Sequence, residues 1–197
     1  MTALRRSDLD PDPVRQLERW RGAAAEAGVD TTVAVLATAA PGGQPSARMV
    51  LVKGVEDGAL RFFTNYESRK AAELAANPLA ALLFHWPGRQ ARIEGVAERL
   101  PDAESDAYFE ARPPGSRLSA AVSPQSRPVA SRAELEASVE ELRERYPDGA
   151  VPRPATWGGY RIEPRAYEFW QHDRHRMHDR FRYTSADGAW AVERLGP

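Results

Sequence analysis

A short basic segment near the C-terminus, EFWQHDRHRMHDRFRY (residues 168–183), holds three of the four histidines of the chain. His172, His175 and His178 recur at intervals of three. On a strand this spacing places His175 on the opposite face from the other two, and on a helix it spreads the three rings over about 300 degrees. Zinc needs ligands that converge on one point, so we expect no metal site here.

The same segment is better suited to anion binding. If RMHDR is extended, Arg176, His178 and Arg180 lie on one face. Two permanent cations and an imidazole are costly to hold together unless an anion or an electron-rich ring lies nearby. The alternative, a solvated strand face balanced by Asp173 and Asp179, stays open on this segment alone.

A second basic pair brackets the apolar run RMVLVKG, with Arg48 at its start and Lys53 near its end. These residues are five apart, so a regular strand points them to opposite faces. Either a bulge intervenes, or the two side chains contact different parts of one long ligand. They could also be edge charges that flank a core strand.

A third group follows the strand-like run FFTN, where Thr64 precedes Ser68, Arg69 and Lys70 at the start of a predicted helix. Backbone donors at a helix start, two cations and a hydroxyl could together bind a phosphate. The segment lacks the glycines of a P-loop. A solvated helix start is the alternative.

A fourth group lies in YFEARPPGS, where Tyr108, Arg112 and Ser116 recur every four residues. A helical path would bring them to one side, and a guanidinium between two hydroxyls suits a second phosphate. Ordinary packing and solvation of an amphipathic helix would explain the same pattern.

The elements that must position these groups are mostly strands. Turn signals separate short β-rich runs, and the connections are too short for parallel crossovers, so we expect an antiparallel, barrel-like sheet of six to eight strands with three or four helices. We predict a flexible arm over residues 1–12 and a single domain over residues 13–197. The stretch 113–129 is rich in proline and serine, and residues 147–159 are predicted to be an irregular connector. Ser131 and Glu134 predict a capping box for a strong helix.

Composition narrows the class of protein. The chain has 197 residues, 42% of them hydrophobic, and 27 basic residues against 28 acidic ones. The near-zero net charge gives no general attraction to nucleic acid or acidic membranes. The absence of cysteine excludes disulfides and thiolate metal sites and suits a cytoplasmic location. No apolar run approaches the roughly 20 residues of a membrane span.

The order of these motifs is more specific than any one of them. RMVLVK, FFTNYESRKAAEL, RQARIEG, YFEARPPGS, SPQS, WGGYRI, EFWQ and HRMHDRFRY occur in the order and spacing of the pyridoxine/pyridoxamine 5'-phosphate oxidase family, which the chain resembles over nearly its whole length. This resemblance implies a mainly β fold with flanking helices, the antiparallel FMN-binding split β-barrel. It also implies a homodimer with FMN at the subunit interface.

The resemblance further implies roles for individual residues. The ribityl phosphate of FMN would contact Arg48, Arg69, Lys70, Gln125 and Ser126. The flavin ring would lie against Met49, Val50 and Leu51, near Lys53, Phe63, Thr64, Gln90, Trp170 and Arg180. The substrate phosphate would contact Lys53, Tyr108, Arg112 and Ser116. Arg176 and His178 would cover the substrate pyridine ring and are the catalytic candidates.

The implied reaction is oxidation of pyridoxamine or pyridoxine 5'-phosphate to pyridoxal 5'-phosphate, with O2 as acceptor and H2O2 as product. Departures from the family pattern are Phe63, often tyrosine, and Arg117, Ser119 and Ala121, often Gln, Gly and Trp. They affect the expected substrate preference more than FMN binding. The alternatives are a related flavin oxidase, such as one acting on a phenazine precursor, a non-catalytic flavin or haem carrier, and an RNA-binding module.

Overall fold

The computed structural model describes residues 2–186 and 188–197. Eight strands are present, and the alternation of apolar and polar residues sets their buried faces, as in the first strand, where every second side chain is buried. The strands are β1 (Val33–Ala39), β2 (Pro45–Glu56), β3 (Ala59–Asn65), β4 (Leu79–Trp86), β5 (Arg89–Arg99), β6 (Trp157–Gln171), β7 (Asp179–Ala186) and β8 (Ala189–Leu195). The predicted strand runs are confirmed.

All strand pairings are antiparallel, in the order β3-β2-β1-β4-β5-β6-β7-β8. An additional pairing of β3 with β6 closes the first six strands into a barrel, which confirms the predicted split-barrel class. Strand β6 is the longest at 15 residues and pairs with β3 and β5 near its start and with β5 and β7 near its end. It therefore links the barrel to the β7–β8 extension.

Five α-helices cover the barrel: α1 (Pro13–Glu26), α2 (Arg69–Ala76), α3 (Asp102–Glu110), α4 (Pro114–Val122) and α5 (Arg132–Arg145). The side chain of Asp12 caps α1 by accepting a hydrogen bond from the Val14 backbone. Leu17 and Trp20 of α1 are buried in the core, where Trp20 packs edge-on against Phe169 of β6.

Residues 2–12, predicted to be a flexible arm, contact the β7–β8 extension. Leu4 is buried, its backbone N–H donates to Asp179, and its carbonyl accepts from Arg194. The hydroxyl of Tyr183 donates to the carbonyl of Asp10. Burial of one leucine and long-range hydrogen bonds therefore fasten this segment to β7 and β8.

Two helices depart from expectation. Three or four helices were predicted and five are present, because residues 114–122 form α4, whose two prolines are compatible with the first turn of a helix. In α5, Ser131 accepts from the Glu134 backbone, but the Glu134 carboxylate accepts from the backbone of Ala130 instead of Ser131. The predicted capping box is therefore only half formed, and no residue of α5 is fully buried.

Candidate active site

The main cavity of the molecule has a volume of about 590 Å³ and lies where β2, β3, α3 and α4 meet. Met49 and Leu51 of β2 are unusually exposed apolar side chains at its wall, at 63% and 49%. Eleven of the predicted cofactor and substrate residues line it: Met49, Val50, Leu51, Lys53, Phe63, Thr64, Lys70, Tyr108, Arg112, Ser116 and Gln125. The fold thus brings together Lys53 of the second sequence group, Thr64 and Lys70 of the third, and the whole of the fourth.

Lys70 is one of the cations that line this cavity, and we call Lys70 with its partners Thr64 and Gln125 the Lys70 corner. It is 8% exposed, and its ammonium group donates to Gln125 Oε1 at 2.7 Å, Thr64 Oγ1 at 3.1 Å and Ser68 Oγ at 3.4 Å, all of which are uncharged. Burial, together with the nearby positive charge of Arg48, lowers the pKa of Lys70 to about 8. A buried cation with only neutral partners fits an anionic group such as the FMN phosphate.

Arg48 and Arg69 were predicted to share that phosphate, but the structure holds both on a buried carboxylate. Glu73 of α2 accepts from Arg69 Nε at 2.8 Å, Arg48 Nη2 at 3.1 Å and Ser46 Oγ at 2.6 Å, and also from Thr38. Burial raises the pKa of this carboxyl, but the four hydrogen bonds outweigh it and lower the pKa to about 2. Neither arginine lines the main cavity.

A bulge, one of the alternatives for the spacing of Arg48 and Lys53, does not explain it. The register of β2 shifts between Val52 and Val55, at Gly54, which has a φ of 134° that favours glycine. Alternation from Arg48 to Lys53 is regular, so the two side chains are on opposite faces. Lys53 faces the main cavity, whereas Arg48 reaches Glu73.

Arg112 marks the second corner of the main cavity. Its guanidinium lies 4.7 Å from the ring centroid of Trp157. The Nη1 atom is buried without a hydrogen-bond partner, and burial lowers the pKa of the group. Tyr108 and Ser116 line the same cavity. An unsatisfied buried N–H on a cation beside two hydroxyls fits a second phosphate.

Trp157 also lines the main cavity, although the sequence predicted no role for it beyond its place in the motif WGGYRI. Its two following glycines carry a signal that could have found it. A Cβ at Gly158 would overlap the Tyr66 hydroxyl, and one at Gly159 would overlap the Leu100 side chain. Glycine at these two positions therefore lets the side chains of Tyr66 and Leu100 pack directly against the start of β6.

A second, smaller cavity of about 240 Å³ lies at the other end of β6 and contains Gln90, Trp170 and Arg180. Arg180 donates to Glu168 at 2.9 Å and to the Gly196 carbonyl at 2.9 Å. Glu168 is buried and also pairs with Arg92. The predicted cofactor residues Gln90, Trp170 and Arg180 therefore do not line the main cavity.

Of the two catalytic candidates, His178 lies beside this second cavity. The ring centroid of His178 is 4.7 Å from that of Trp170, and its Nδ1 accepts from the Asp173 backbone at 3.1 Å. The expectation that RMHDR is extended was wrong, because β7 begins only at Asp179 and Arg176 is exposed in a turn with a φ of 61°. Arg176, His178 and Arg180 thus do not form one strand face.

Strand β6 contributes to the two cavities from its two ends. Thr64 pairs with Gly158 at the start of the strand, whereas Gln90 pairs with Trp170 twelve residues later (158 to 170). At 3.3 Å per residue this is on the order of 40 Å along the strand. The residues that β6 contributes to the two cavities therefore lie toward opposite ends of this strand.

Ser126, the remaining predicted phosphate contact, is exposed, has a φ of 70° and does not line the main cavity. Such backbone is uncommon for a residue with a side chain and often occurs at binding sites. No group of three metal-binding side chains occurs in residues 2–186 and 188–197. Within the same ranges no helix is long and apolar enough to cross a membrane.

Comparison with known proteins assigns both parts of the chain. Residues 23–146 match the family model described as pyridoxamine 5'-phosphate oxidase, and residues 157–197 match the model of the pyridoxine 5'-phosphate oxidase C-terminal dimerisation region. The chain is 52% identical over 195 residues to a pyridoxine/pyridoxamine 5'-phosphate oxidase of Ralstonia pickettii, covering 97% of this chain and 92% of that protein. It is 50% identical over 199 residues to one of Deinococcus deserti, covering 98% and 93%.

Among solved structures, PhzG of Burkholderia lata 383, in complex with tetrahydrophenazine-1-carboxylic acid, superposes with a TM-score of 0.93 at 32% identity, covering 100% of this chain and 99% of that one. A pyridoxamine 5'-phosphate oxidase-related, FMN-binding protein of Nostoc punctiforme has a TM-score of 0.76 at 21% identity, covering 96% and 100%, which supports the fold. The sequence matches, together with a cavity whose buried cations fit FMN, establish that this protein is an FMN-using oxidoreductase of the pyridoxamine 5'-phosphate oxidase family.

Proposed function

We propose that this protein oxidises pyridoxamine 5'-phosphate and pyridoxine 5'-phosphate to pyridoxal 5'-phosphate, with O2 as electron acceptor and H2O2 as product. With the amine substrate, water enters and ammonia leaves; with the alcohol, the two hydrogens removed from the substrate end in H2O2. The observation that carries the proposal is the pair of cationic corners in one cavity, at Lys70 and at Arg112.

The two cationic groups of this cavity, at Lys70 and at Arg112, are better explained by two bound phosphates than by one. Lys70, Thr64 and Gln125 are hydrogen-bonded to one another and would bind the phosphate of FMN. Arg112, with Tyr108, Ser116 and Lys53, would bind the phosphate of the substrate. Fixing both molecules by their phosphates would orient their reacting rings toward each other, which is a large part of the rate advantage of a bound reaction.

FMN, when bound, supplies the redox chemistry by accepting a hydride from the substrate and passing the electrons to oxygen. The residues of this chain bind and orient. The exposed side chains of Met49 and Leu51 offer an apolar surface for a ring system. Because Nδ1 of His178 accepts a backbone hydrogen bond, a neutral ring carries its proton on Nε2, where it could donate to the substrate.

The proposal includes a homodimer, with the main cavity of one copy completed by the second cavity of the other. The separation of Thr64 and Trp170 along β6 supports it, as does the match of residues 157–197 to a dimerisation region. In the dimer, Gln90, Trp170, Arg176, His178 and Arg180 would come from the second copy.

The test begins with an absorbance spectrum of the purified protein, followed by anaerobic addition of pyridoxamine 5'-phosphate. We expect flavin bands that bleach on addition and return with air, together with pyridoxal 5'-phosphate and H2O2. Bands that fail to bleach with either B6 substrate but bleach with a reduced phenazine carboxylate would contradict the proposed substrate. A protein unable to take up FMN would contradict the site assignment as a whole.

A further inference from the structure

Trp157, the first residue of β6, is held rigidly at the edge of the main cavity. Its side chain is 5% exposed. Its backbone N–H donates to the Pro154 carbonyl at 2.9 Å, and its carbonyl accepts from Arg153 Nη1 at 2.6 Å. Arg153 is itself paired with Asp102 and Asp106 of α3. The backbone of Trp157 is therefore linked through Arg153 to α3, the helix that carries Tyr108.

Three aromatic rings lie nearly parallel at this edge. Phe63 stacks on Tyr108 with centroids 3.7 Å apart and an interplanar angle of 8°, and on Trp157 at 5.5 Å and 12°. Phe109 meets the indole edge-on at 5.0 Å. Trp157 and Phe63 thus fix the plane of the tyrosine ring whose hydroxyl is proposed to contact the substrate phosphate.

The indole also carries Arg112, whose guanidinium lies 4.7 Å from the ring centroid. A carboxylate would hold an arginine by accepting its N–H groups and neutralising its charge, as Glu73 does for Arg48 and Arg69. An aromatic face holds it through the ring quadrupole and leaves the in-plane N–H donors available. Nη1 of Arg112 is in that state, buried and without a partner.

We propose that Trp157 is a positioning residue that presents Arg112 and, through Phe63, Tyr108 to the substrate phosphate, and that it thereby sets the preference for phosphorylated over unphosphorylated substrates. This inference rests on the proposed function. Its distinctive consequence is that loss of the indole weakens phosphate binding without removing the guanidinium and without disturbing the Lys70 corner, where FMN is proposed to bind.

The experiment compares holoenzymes carrying Trp157→Met, which fills space without a ring, and Trp157→Phe, which keeps a smaller ring. For Trp157→Met we expect KM for pyridoxamine 5'-phosphate to rise about tenfold, with kcat reduced less than threefold, since a partly buried cation–π contact has that magnitude. Trp157→Phe should recover most of the loss, with KM about two- to fourfold above the wild type.

Two readouts separate positioning from general damage. The affinity for inorganic phosphate, measured by calorimetry on the holoenzyme, should fall in parallel with the rise in KM, while the FMN dissociation constant from flavin fluorescence stays within about twofold of the wild type. Discrimination between pyridoxamine 5'-phosphate and pyridoxamine should shrink. Trp86→Met, at a buried tryptophan of β4 that does not line the main cavity, is the matched control and should leave KM unchanged.

Wild-type KM and phosphate affinity in both Trp157 variants would overturn the inference, and so would an equal rise in KM for Trp86→Met. If Trp157→Met does not fold, Trp157→Phe decides: a KM and phosphate affinity equal to the wild type refute the role. Failure of the proposed function is distinguishable, because the wild type itself would then neither oxidise a B6 phosphate nor bind phosphate competitively with its substrate.

Discussion

Arginines in this site are held in two chemically different ways. Arg48 and Arg69 share the buried carboxylate of Glu73, which neutralises much of their charge, whereas Arg112 rests on the Trp157 ring with its charge uncompensated. The chain has only two lysines among its 27 lysines and arginines, and both line the main cavity. The cations available to an anion there are therefore Lys53, Lys70 and Arg112.

Glu73→Gln tests how much the buried carboxylate that binds Arg48 and Arg69 stabilises the fold. We expect the apoprotein to lose about 1–3 kcal/mol of unfolding free energy at pH 7, because buried charged hydrogen bonds are weakened. The folded pKa of about 2 lies below the ordinary 4.5, so this contribution is present above pH 4.5 and is lost as the pH falls toward 2. Urea denaturation at several pH values should show the wild type and the variant converging in acid.

Glu67→Gln is the control for that series. Glu67 pairs with Arg127 on the surface, where both side chains are more than half exposed, and such pairs contribute little. A stability loss in Glu67→Gln equal to that of Glu73→Gln, or a difference between wild type and Glu73→Gln that stays constant down to pH 2.5, would contradict the role assigned to burial.

Lys70→Met tests the proposed cofactor-phosphate corner. The folded pKa of Lys70, about 8, lies below its ordinary 10.5, so the unfolded chain binds more protons between these values and apoprotein stability rises with pH across this window. Below pH 8 the buried charge destabilises the apoprotein. The variant should therefore be more stable at pH 7, by on the order of 1 kcal/mol.

The same variant should bind FMN at least about tenfold more weakly, because the cation that faces the phosphate is gone. Wild-type affinity should decline as the pH rises above 8, and the affinity of Lys70→Met should not. FMN fluorescence titrations at pH 7, 8 and 9 check this. Lys53→Met, at the exposed lysine, should not gain stability; a gain there, or a pH-independent wild-type affinity, would refute the assignment.

At the scale of elements, β6 contributes to both cavities, with Trp157 at its start and Trp170 near its end. Its path depends on close contact with β5 at Gly95, where the register shifts and a Cβ would overlap the backbone carbonyl of Glu163. Backbone cannot move aside as a flexible side chain can. The strand pair therefore requires glycine at this position.

Gly95→Ala should lower the unfolding free energy by about 1–3 kcal/mol, the usual cost of overpacking. The matched change Gly22→Ala, at an exposed site of α1 with no atom near the added methyl group, should raise it by roughly 0.5–1 kcal/mol. Thermal and urea denaturation measure both. Equal effects of the two substitutions would show that the β5–β6 contact is looser than described.

At the scale of the whole molecule, the proposed homodimer completes the main cavity of each copy with the second cavity of its partner. Arg112→Ala should disable the main cavity and Arg180→Ala the second. If the cavities of two copies combine, co-expressed variants form mixed dimers with one intact site each, and activity should recover to about a quarter of the wild type. Oxidase assays of the tagged, co-purified mixture measure this.

Co-expression of Arg112→Ala with Lys70→Ala is the control, because both changes fall in the same cavity. In the mixed dimers of that pair each main cavity carries one defect, so no recovery is expected. Absence of recovery in the first pair, despite demonstrated mixed dimers, would place the complete site within one copy.

The sequence by itself determined the strands, most helices and the order of the chemical motifs, because period-two alternation and turn residues are local signals. The same local signals could not reveal that α4 forms in a Pro- and Ser-rich stretch or that residues 4–10 pack against β7 and β8. Arg69 and Glu73 are one helical turn apart, so that pair could have been predicted, but the inclusion of Arg48 could not.

Only the tertiary structure decided which motifs line the main cavity and which lie at the second cavity. Closure of β3 onto β6 sets Thr64 beside Trp157, while the length of β6 carries Trp170 and its neighbours to the far end. Spacing along the chain gives no information about such pairings, because they join residues about a hundred positions apart. Barrel closure brings the Trp157 indole to Arg112, while Trp170 lies toward the opposite end of β6. It is a contact between distant segments that local periodicity does not encode.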